Sequence, residues 1–272
     1  MVVFAVFALS LAVLPAMSAD AATSCVFVDD PVAMTMTLQG DCTTDATITI
    51  PDGYTLEGAG YAITAVDPPS GHFRGAVVAS GGTWAGVQDL TVTASGLTNW
   101  CAPSSPDYRL RGILFNGASG FISHSSVVGV NKGASGCQAG TAIEVRNAPF
   151  YPPYGSRVSV QITHNAIDAY QKTGIVANGS VDVLIAHNTL GASATQANLA
   201  ANGIQLGYGA TGTVLLNQVA GNEWLGASSY AATAVLVQNA GVVVLESNHI
   251  VGNSDVGIFV LADGGTYVKN HV

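Results

Sequence analysis

The sequence predicts an all-β fold, a single-stranded parallel β-helix of about eight to nine coils. Three observations carry this reading: a motif that recurs along the chain, apolar alternation within each copy, and a turn-rich composition almost without charge. The motif begins with a small residue and an aliphatic one, at Gly112-Ile113, Ala142-Ile143, Gly174-Ile175, Gly203-Ile204, Ala234-Val235 and Gly257-Ile258. Its aliphatic positions are separated by 30, 32, 29, 31 and 23 residues. Each copy closes on a second half that aligns Asn165, Asn188, Asn217, Asn248 and Asn270, with Ser125 in the equivalent upstream place. Three residues before these stand Ile122, Ile162, Ile185, Val214, Leu245 and Tyr267; two after stand Val127, Ile167, Leu190, Val219, Ile250 and Val272.

Within each half the apolar positions alternate, which is the period of a strand and not of a helix. A short strand with one apolar face cannot bury that face alone, so successive copies must stack. The spacing of 23 residues fits a minimal coil, and the excess in the longer repeats must loop out on the surface. The Asn column is expected at a bend, where Asn tolerates a left-handed backbone and stacked amides satisfy one another's buried polar groups.

The composition agrees. Of 272 residues only 9% are charged while 49% are hydrophobic, and there are 32 Gly. Eight Lys and Arg against 17 Asp and Glu give a net charge of -9, so no general basic surface exists for nucleic acid or an anionic membrane. Met1 to Ala16 is a nearly unbroken apolar run followed by the cleavage pattern Ala19-Asp20-Ala21. Residues 1–21 therefore read as a secretory signal, too short for a membrane span of about 20 apolar residues. Residues 22–272 are expected as one exported domain, with regular coils from about 45. Its four cysteines, Cys25, Cys42, Cys101 and Cys137, suggest two disulfides among three possible pairings. Proximity favours Cys25 with Cys42 and Cys101 with Cys137.

The segments GIVANGSVDVLIAHNTL (174–190) and AVLVQNAGVVVLESNHI (234–250), with ITIPDGYTLEGAGYAITA (48–65) and GVQDLTVTASG (86–96) as first coils, carry a resemblance. Over about residues 45–272 the chain resembles the right-handed parallel β-helix proteins of the pectate-lyase-like superfamily. The resemblance implies a right-handed coil and a role on polysaccharide. It does not fix an activity, because the superfamily holds lyases, hydrolases, epimerases and non-catalytic surface proteins.

Candidate site residues come from the rare charges. Six of eight cations, Arg109, Arg111, Lys132, Arg146, Arg157 and Lys172, fall between residues 109 and 172. Two Pro-bearing insertions break the rhythm there. One, 98–111, carries Trp100, Tyr108, Arg109 and Arg111; the other, 146–157, carries Arg146, Phe150, Tyr151, Tyr154 and Arg157. Aromatic faces stack on sugar rings and Arg forks pair with carboxylates. Trp100, Tyr108, Arg109, Arg111, Tyr151 and Tyr154 are therefore the expected binders of an acidic glycan, with the loops as structural covers the alternative. β-Elimination of a uronate needs a base, a neutralised carboxylate and often Ca²⁺. Lys132, Lys172, Arg146 and Arg157 are the candidates for base and neutraliser; Glu144, Asp168 and Tyr170 are the nearest candidates for acid or metal ligand. No metal site is assigned, and Ca²⁺ stays open as a cofactor.

His124, His164 and His187 form another column, read as structural stacking. The strip Leu114, Glu144, Val176, Gln205, Leu236 and Phe259 is expected to point outward as a binding face or a covered one. The Asp cluster with Gly-His-Gly and Arg-Ile-Lys motifs of glycoside hydrolases on this fold does not occur, nor does the Arg-x-Pro-x-x-Arg motif of extracellular pectate lyases. Two functions follow as expectations: a polysaccharide lyase on acidic glycan, or a non-catalytic β-helix that binds glycan or serves as a surface scaffold. The final coil shows no cap in sequence, and its strand edge invites end-to-end association.

Overall fold

A computed structural model describes residues 23–94, 96–98, 100, 108–133, 137–192, 198–226, 230–262 and 264–271. The signal reading of residues 1–21, and Cys101, lie outside the described residues. The chain opens on β1 (Phe27–Asp30), β2 (Thr35–Leu38) and β3 (Cys42–Thr44). Coils follow as β4 (Ile48–Ile50), β5 (Thr55–Glu57), β6 (Ala62–Ala65); β7 (Ala76–Ser80), β8 (Trp84–Gln88), β9 (Thr91–Thr93); and β10 (Arg111–Asn116), β11 (Ser119–Ser123), β12 (Ser126–Val128). Next are β13 (Thr141–Asn147), β14 (Val158–Thr163), β15 (Ala166–Tyr170); β16 (Thr173–Gly179), β17 (Val181–Ala186), β18 (Thr189–Ala192); and β19 (Asn202–Gly207), β20 (Thr211–Leu215), β21 (Gln218–Ala220). The last are β22 (Thr233–Gln238) with the long β23 (Val243–Val251), then β24 (Val256–Leu261) with β25 (Thr266–His271).

Each strand pairs in parallel with its counterpart one coil on, so every coil contributes to three faces. The first strands form an eight-stranded sheet, β4-β7-β10-β13-β16-β19-β22-β24. The second and third strands form the remaining faces, joined into one continuous ladder. The fold is thus an all-β parallel β-helix of roughly eight coils, as the repeat requires. It begins earlier than residue 45, because β2 already pairs in parallel with β5. At this end β1 folds back antiparallel on β2, and the Cys25–Cys42 disulfide fastens it. Cys137 is disulfide-bonded too.

Register follows the sequence columns. Ile113, Ile143, Ile175, Ile204, Val235 and Ile258 stack in the eight-stranded sheet, and all but Ile258 are fully buried. The residue before each is small because a neighbouring backbone crosses it. A Cβ on Gly112, Gly174 or Gly203 would lie 2.5 to 2.6 Å from a carbonyl oxygen of the next coil. One column differs from the sequence alignment: Val268, not Tyr267, faces Leu245, because the register shifts by one further along, between Glu246 and His249. In this last coil the inward-column residues Val260 and Val268 stay 39% and 53% exposed.

The Asn column is a hydrogen-bonded ladder. The side-chain Nδ2 of Asn165 donates to Asn188 Oδ1, Asn188 to Asn217, Asn217 to Asn248, and Asn248 to Asn270, each at 2.8 to 2.9 Å. Every one of those oxygens also accepts the backbone N–H of the preceding Asn, and each donor amide reaches a strand carbonyl as well. The left-handed backbone expected at Asn belongs instead to the residue before it, His124, His164, His187, Leu216 and Ser247, with φ of 49 to 58°. The αL residue turns the chain outward by itself, which frees the following Asn side chain to point into the core. The three histidines accordingly stack in the open, with ring centroids 5.0 and 4.9 Å apart and planes within 12°.

Asn188→Ala is expected to leave the Asn165 amide and the Ile162 carbonyl without their partners inside the core. At about 1 to 3 kcal/mol per orphaned group, the loss exceeds 2 kcal/mol and is measurable as a lower urea midpoint. Asn270→Ala, at the end of the ladder, should cost less.

Candidate functional site

The outer face of the eight-stranded sheet is the floor of a groove. Leu114, Glu144, Val176, Gln205, Leu236 and Phe259 stand side by side along it, in register from β10 to β24. The column expected to point outward therefore does. One cavity of about 250 Å³ crosses the sheet from Arg109, Arg111 and Lys172 at the start of the strands to Asn178 and Tyr208 at their end. A second, of about 990 Å³, adjoins it over the later coils and shares Gln138 and Lys172 with it.

Each cation has a definite place. Arg111 is buried and forms an ion pair with Glu144 through its Nε, while its Nη1 donates to the Arg109 carbonyl at 2.9 Å. Arg109 is exposed, and its guanidinium forms no ion pair among the described residues. Lys172 Nζ donates to Ala200 O at 2.7 Å. Burial, reinforced by the charge of Arg109, lowers the Lys172 pKa from 10.5 to about 8. Arg146 sits on the same floor at the opposite end of its strand, with Nε donating to Asn116 Oδ1 at 3.2 Å. It lies five residues beyond the start of β13, on the order of 17 Å along the strand.

The remaining expected site residues are elsewhere. Arg157 Nη1 donates to Val181 O and Gly209 O at 2.6 and 3.2 Å and to Thr211 Oγ1, so it fastens the 146–157 loop to the helix. Tyr154 lies over Gly209, where a Cβ would meet its ring at 2.3 Å. Tyr151 packs edge-on against Tyr208 at 5.7 Å, and it is Tyr208 that lines the smaller cavity. Lys132 is buried against the face of Trp100, 5.4 Å from the ring centre, and burial lowers its pKa against the opposing pull of Asp67. Trp100 also stacks on His72 at 5.2 Å. Arg74 bridges Trp100 and Tyr108, 5.1 Å from each ring. This cation and aromatic cluster ties Trp100 to Tyr108 and does not line either cavity.

The acid and metal candidates fit poorly. Glu144 is committed to Arg111, Asp168 belongs to a different face, and Tyr170 is buried with its hydroxyl donating to Asn222 Oδ1 at 2.8 Å. Burial pushes the Tyr170 phenol far above its ordinary range. Among the described residues no three His, Cys, Asp or Glu side chains group as metal ligands. A Ca²⁺ ion needs six to eight oxygen ligands, and this floor does not offer them.

The family model for the right-handed β-helix region matches residues 111–272. The chain belongs to the right-handed β-helix family. Comparison with curated proteins returns no match. Membership in the right-handed β-helix family accounts for the coil and leaves the chemistry to the groove. Among the described residues of this β-helix, no helix is long and apolar enough to cross a membrane.

Sequence reading missed Trp224, Tyr230, Gln138 and Tyr208, which line the two cavities. Trp224 and Tyr230 carry no charge, so a search led by cations passed over them. The usable signal was the interruption between Ala220 and Thr233, which breaks the coil rhythm as the two Pro-bearing insertions do.

Two outcomes follow. Between pH 8 and 10.5 the unfolded chain keeps a Lys172 proton that the folded chain has released, so stability rises with pH in that window. Lys172→Met is expected to flatten the rise in Tm over that range; parallel curves for the two proteins would refute the lowered pKa. Arg111→Met strips buried Glu144 of its cation and is expected to cost about 3 kcal/mol or more in urea unfolding. Adding Glu144→Leu should recover most of that loss.

Proposed function

We propose that this β-helix is exported, binds an acidic polysaccharide along the outer face of its eight-stranded sheet, and cleaves it by β-elimination with Lys172 as base. One observation carries the reading. On a protein of net charge -9, Arg109 and a Lys172 of pKa about 8 meet in one cavity. A base poised near the working pH combines a useful neutral fraction with proton affinity. Export is supported by the apolar leader with its cleavage pattern and by disulfide use.

In this mechanism a uronate carboxylate pairs with Arg109, which stabilises the negative charge that develops when C5 loses its proton. The lone pair of Lys172 Nζ takes that proton. The C5–H electrons form the C4–C5 double bond, the C4–O bond breaks, and the departing oxygen takes a proton from water. The carbonyl of Ala200 holds the amine in place throughout. Tyr208, backed by Tyr151, offers its ring to the sugars on one side, and Arg109 borders the other. Tyr154 and Arg157 support the 146–157 side without touching substrate, and Trp100 and Lys132 lie outside the groove. No step is routed through Ca²⁺.

An absorbance assay for unsaturated uronate products against pectate, alginate and glycosaminoglycans tests this. Turnover should rise through about pH 8, as Lys172 loses its proton. Lys172→Met should lower it roughly 10² to 10⁴-fold, and Arg109→Ala should raise KM. Binding of a polymer without any cleavage would favour the second reading, a non-catalytic glycan-binding β-helix. That reading draws on the 2.7 Å bond from Lys172 Nζ to Ala200 O, which also suits a purely structural lysine.

A further inference from the structure

The two cavities that meet at Lys172 differ in chemistry. The smaller holds Arg109, Arg111, Glu144 and Lys172. The larger, beyond Lys172 at its border, is lined by no Asp, Glu, Arg or His among the described residues. Its floor and wall carry Leu199, Trp224, Leu236, Phe259 and Leu261. Phe259 and Leu261 are 46% and 48% exposed, an unusual outlay of large apolar side chains on a surface strand.

Two of the polar side chains beside them, Thr233 and Asn202, are already engaged. Thr233 Oγ1 donates to Asn202 Oδ1 at 2.8 Å, and Asn202 Nδ2 donates to Gln205 Oε1 at 3.1 Å. A bare sugar ring seated directly on Leu236, Phe259 and Leu261 would lose hydrogen bonds to water without full replacement, which is costly. A methyl or short acyl chain meets no such cost and gains from burial. Among the described residues the buried Trp224 Nε1 has no partner, so this wall carries an indole N–H with no acceptor of its own. Val176, beside the cationic cavity, and Leu236, in the apolar one, are two coils apart, on the order of 10 Å. That is the reach of a short oligosaccharide.

We propose that the groove recognises an acidic glycan bearing O-acyl groups, with its carboxylate at Arg109 and Lys172 and an acyl substituent of a nearby unit against Trp224, Leu236 and Phe259. The assignment rests on the acidic-glycan reading above and adds the substituent as a specificity element. It is specific to the order of the coils: anion toward β13 and β16, acyl group toward β22 and β24.

Titration calorimetry of the whole protein with oligogalacturonates and oligomannuronates, each in O-acetylated and deacetylated form, tests it. For the sugar that binds, the acetylated form should bind about tenfold tighter or more, the discrimination that one or two buried carbons supply. Phe259→Ser and Leu236→Ser should bring that ratio close to one, whereas Lys172→Met should weaken both forms and keep the ratio. Equal binding of both forms overturns the acyl assignment alone. A preference that survives both Ser substitutions also overturns it, because the acyl group then sits elsewhere. If no form of either oligomer binds, the acidic-glycan reading falls together with it. Circular dichroism that matches the unaltered protein shows that each Ser variant has kept its coils.

Discussion

Parallel hydrogen bonding from coil to coil is the constraint from which the rest follows. Each strand finds its partner about one coil away in sequence, so a single error of register would propagate through every later coil. The Asn ladder guards against that error. Each Oδ1 accepts both the side-chain and the backbone N–H of its neighbour, and each Nδ2 reaches a strand carbonyl. A slip by one residue would bury those groups without partners, at a cost comparable to a large part of a protein's net stability. The αL residue before Asn165, Asn188, Asn217 and Asn248 completes the device, because it bends the chain outward and turns the amide inward.

The same stacking explains where charge is allowed. Residues in one column lie on the order of 5 Å from their copies, so a repeated charge would repel itself along the axis. The columns are therefore filled by Asn, Thr, Ser, Gly and aliphatics. Cations persist mainly where the repeat is interrupted, and there they do two kinds of work. Arg157 holds the 146–157 loop through carbonyl oxygens, and Lys132 packs against the indole face of Trp100. Arg109, Arg111 and Lys172 collect at the edge of the exposed sheet, where Arg111 is balanced by Glu144 and the other two leave a local positive field on an acidic molecule.

That field and the apolar stretch beside it make the groove asymmetric along the helix axis. A solenoid built of near-identical coils would otherwise present a uniform surface. Here the outward column changes from Glu144 through Val176 and Gln205 to Leu236 and Phe259, and the inserted loops deepen the change into walls. Lys172 sits at the junction, and its burial costs the charged amine its hydration and lowers its pKa to about 8.

The sequence by itself determined the coil. Strand period, the stacked aliphatics and the Asn column are local regularities repeated in the chain, and a repeat fixes its own neighbours. Reading the Asn as the left-handed residue missed by one position, because φ is set by backbone bending that composition does not display. Setting Tyr267 in line missed for a similar reason, a register shift in the last coil. What only the tertiary structure decided is which rare side chains face one another. Residues 109–172 hold six cations in sequence, yet a few residues along a coil carry a side chain round to another face, so Lys132 and Arg157 part from Arg109 and Lys172. Conversely Trp224 and Tyr230, far along the chain and uncharged, arrive beside Lys172, because stacking turns distance in sequence into adjacency along the axis.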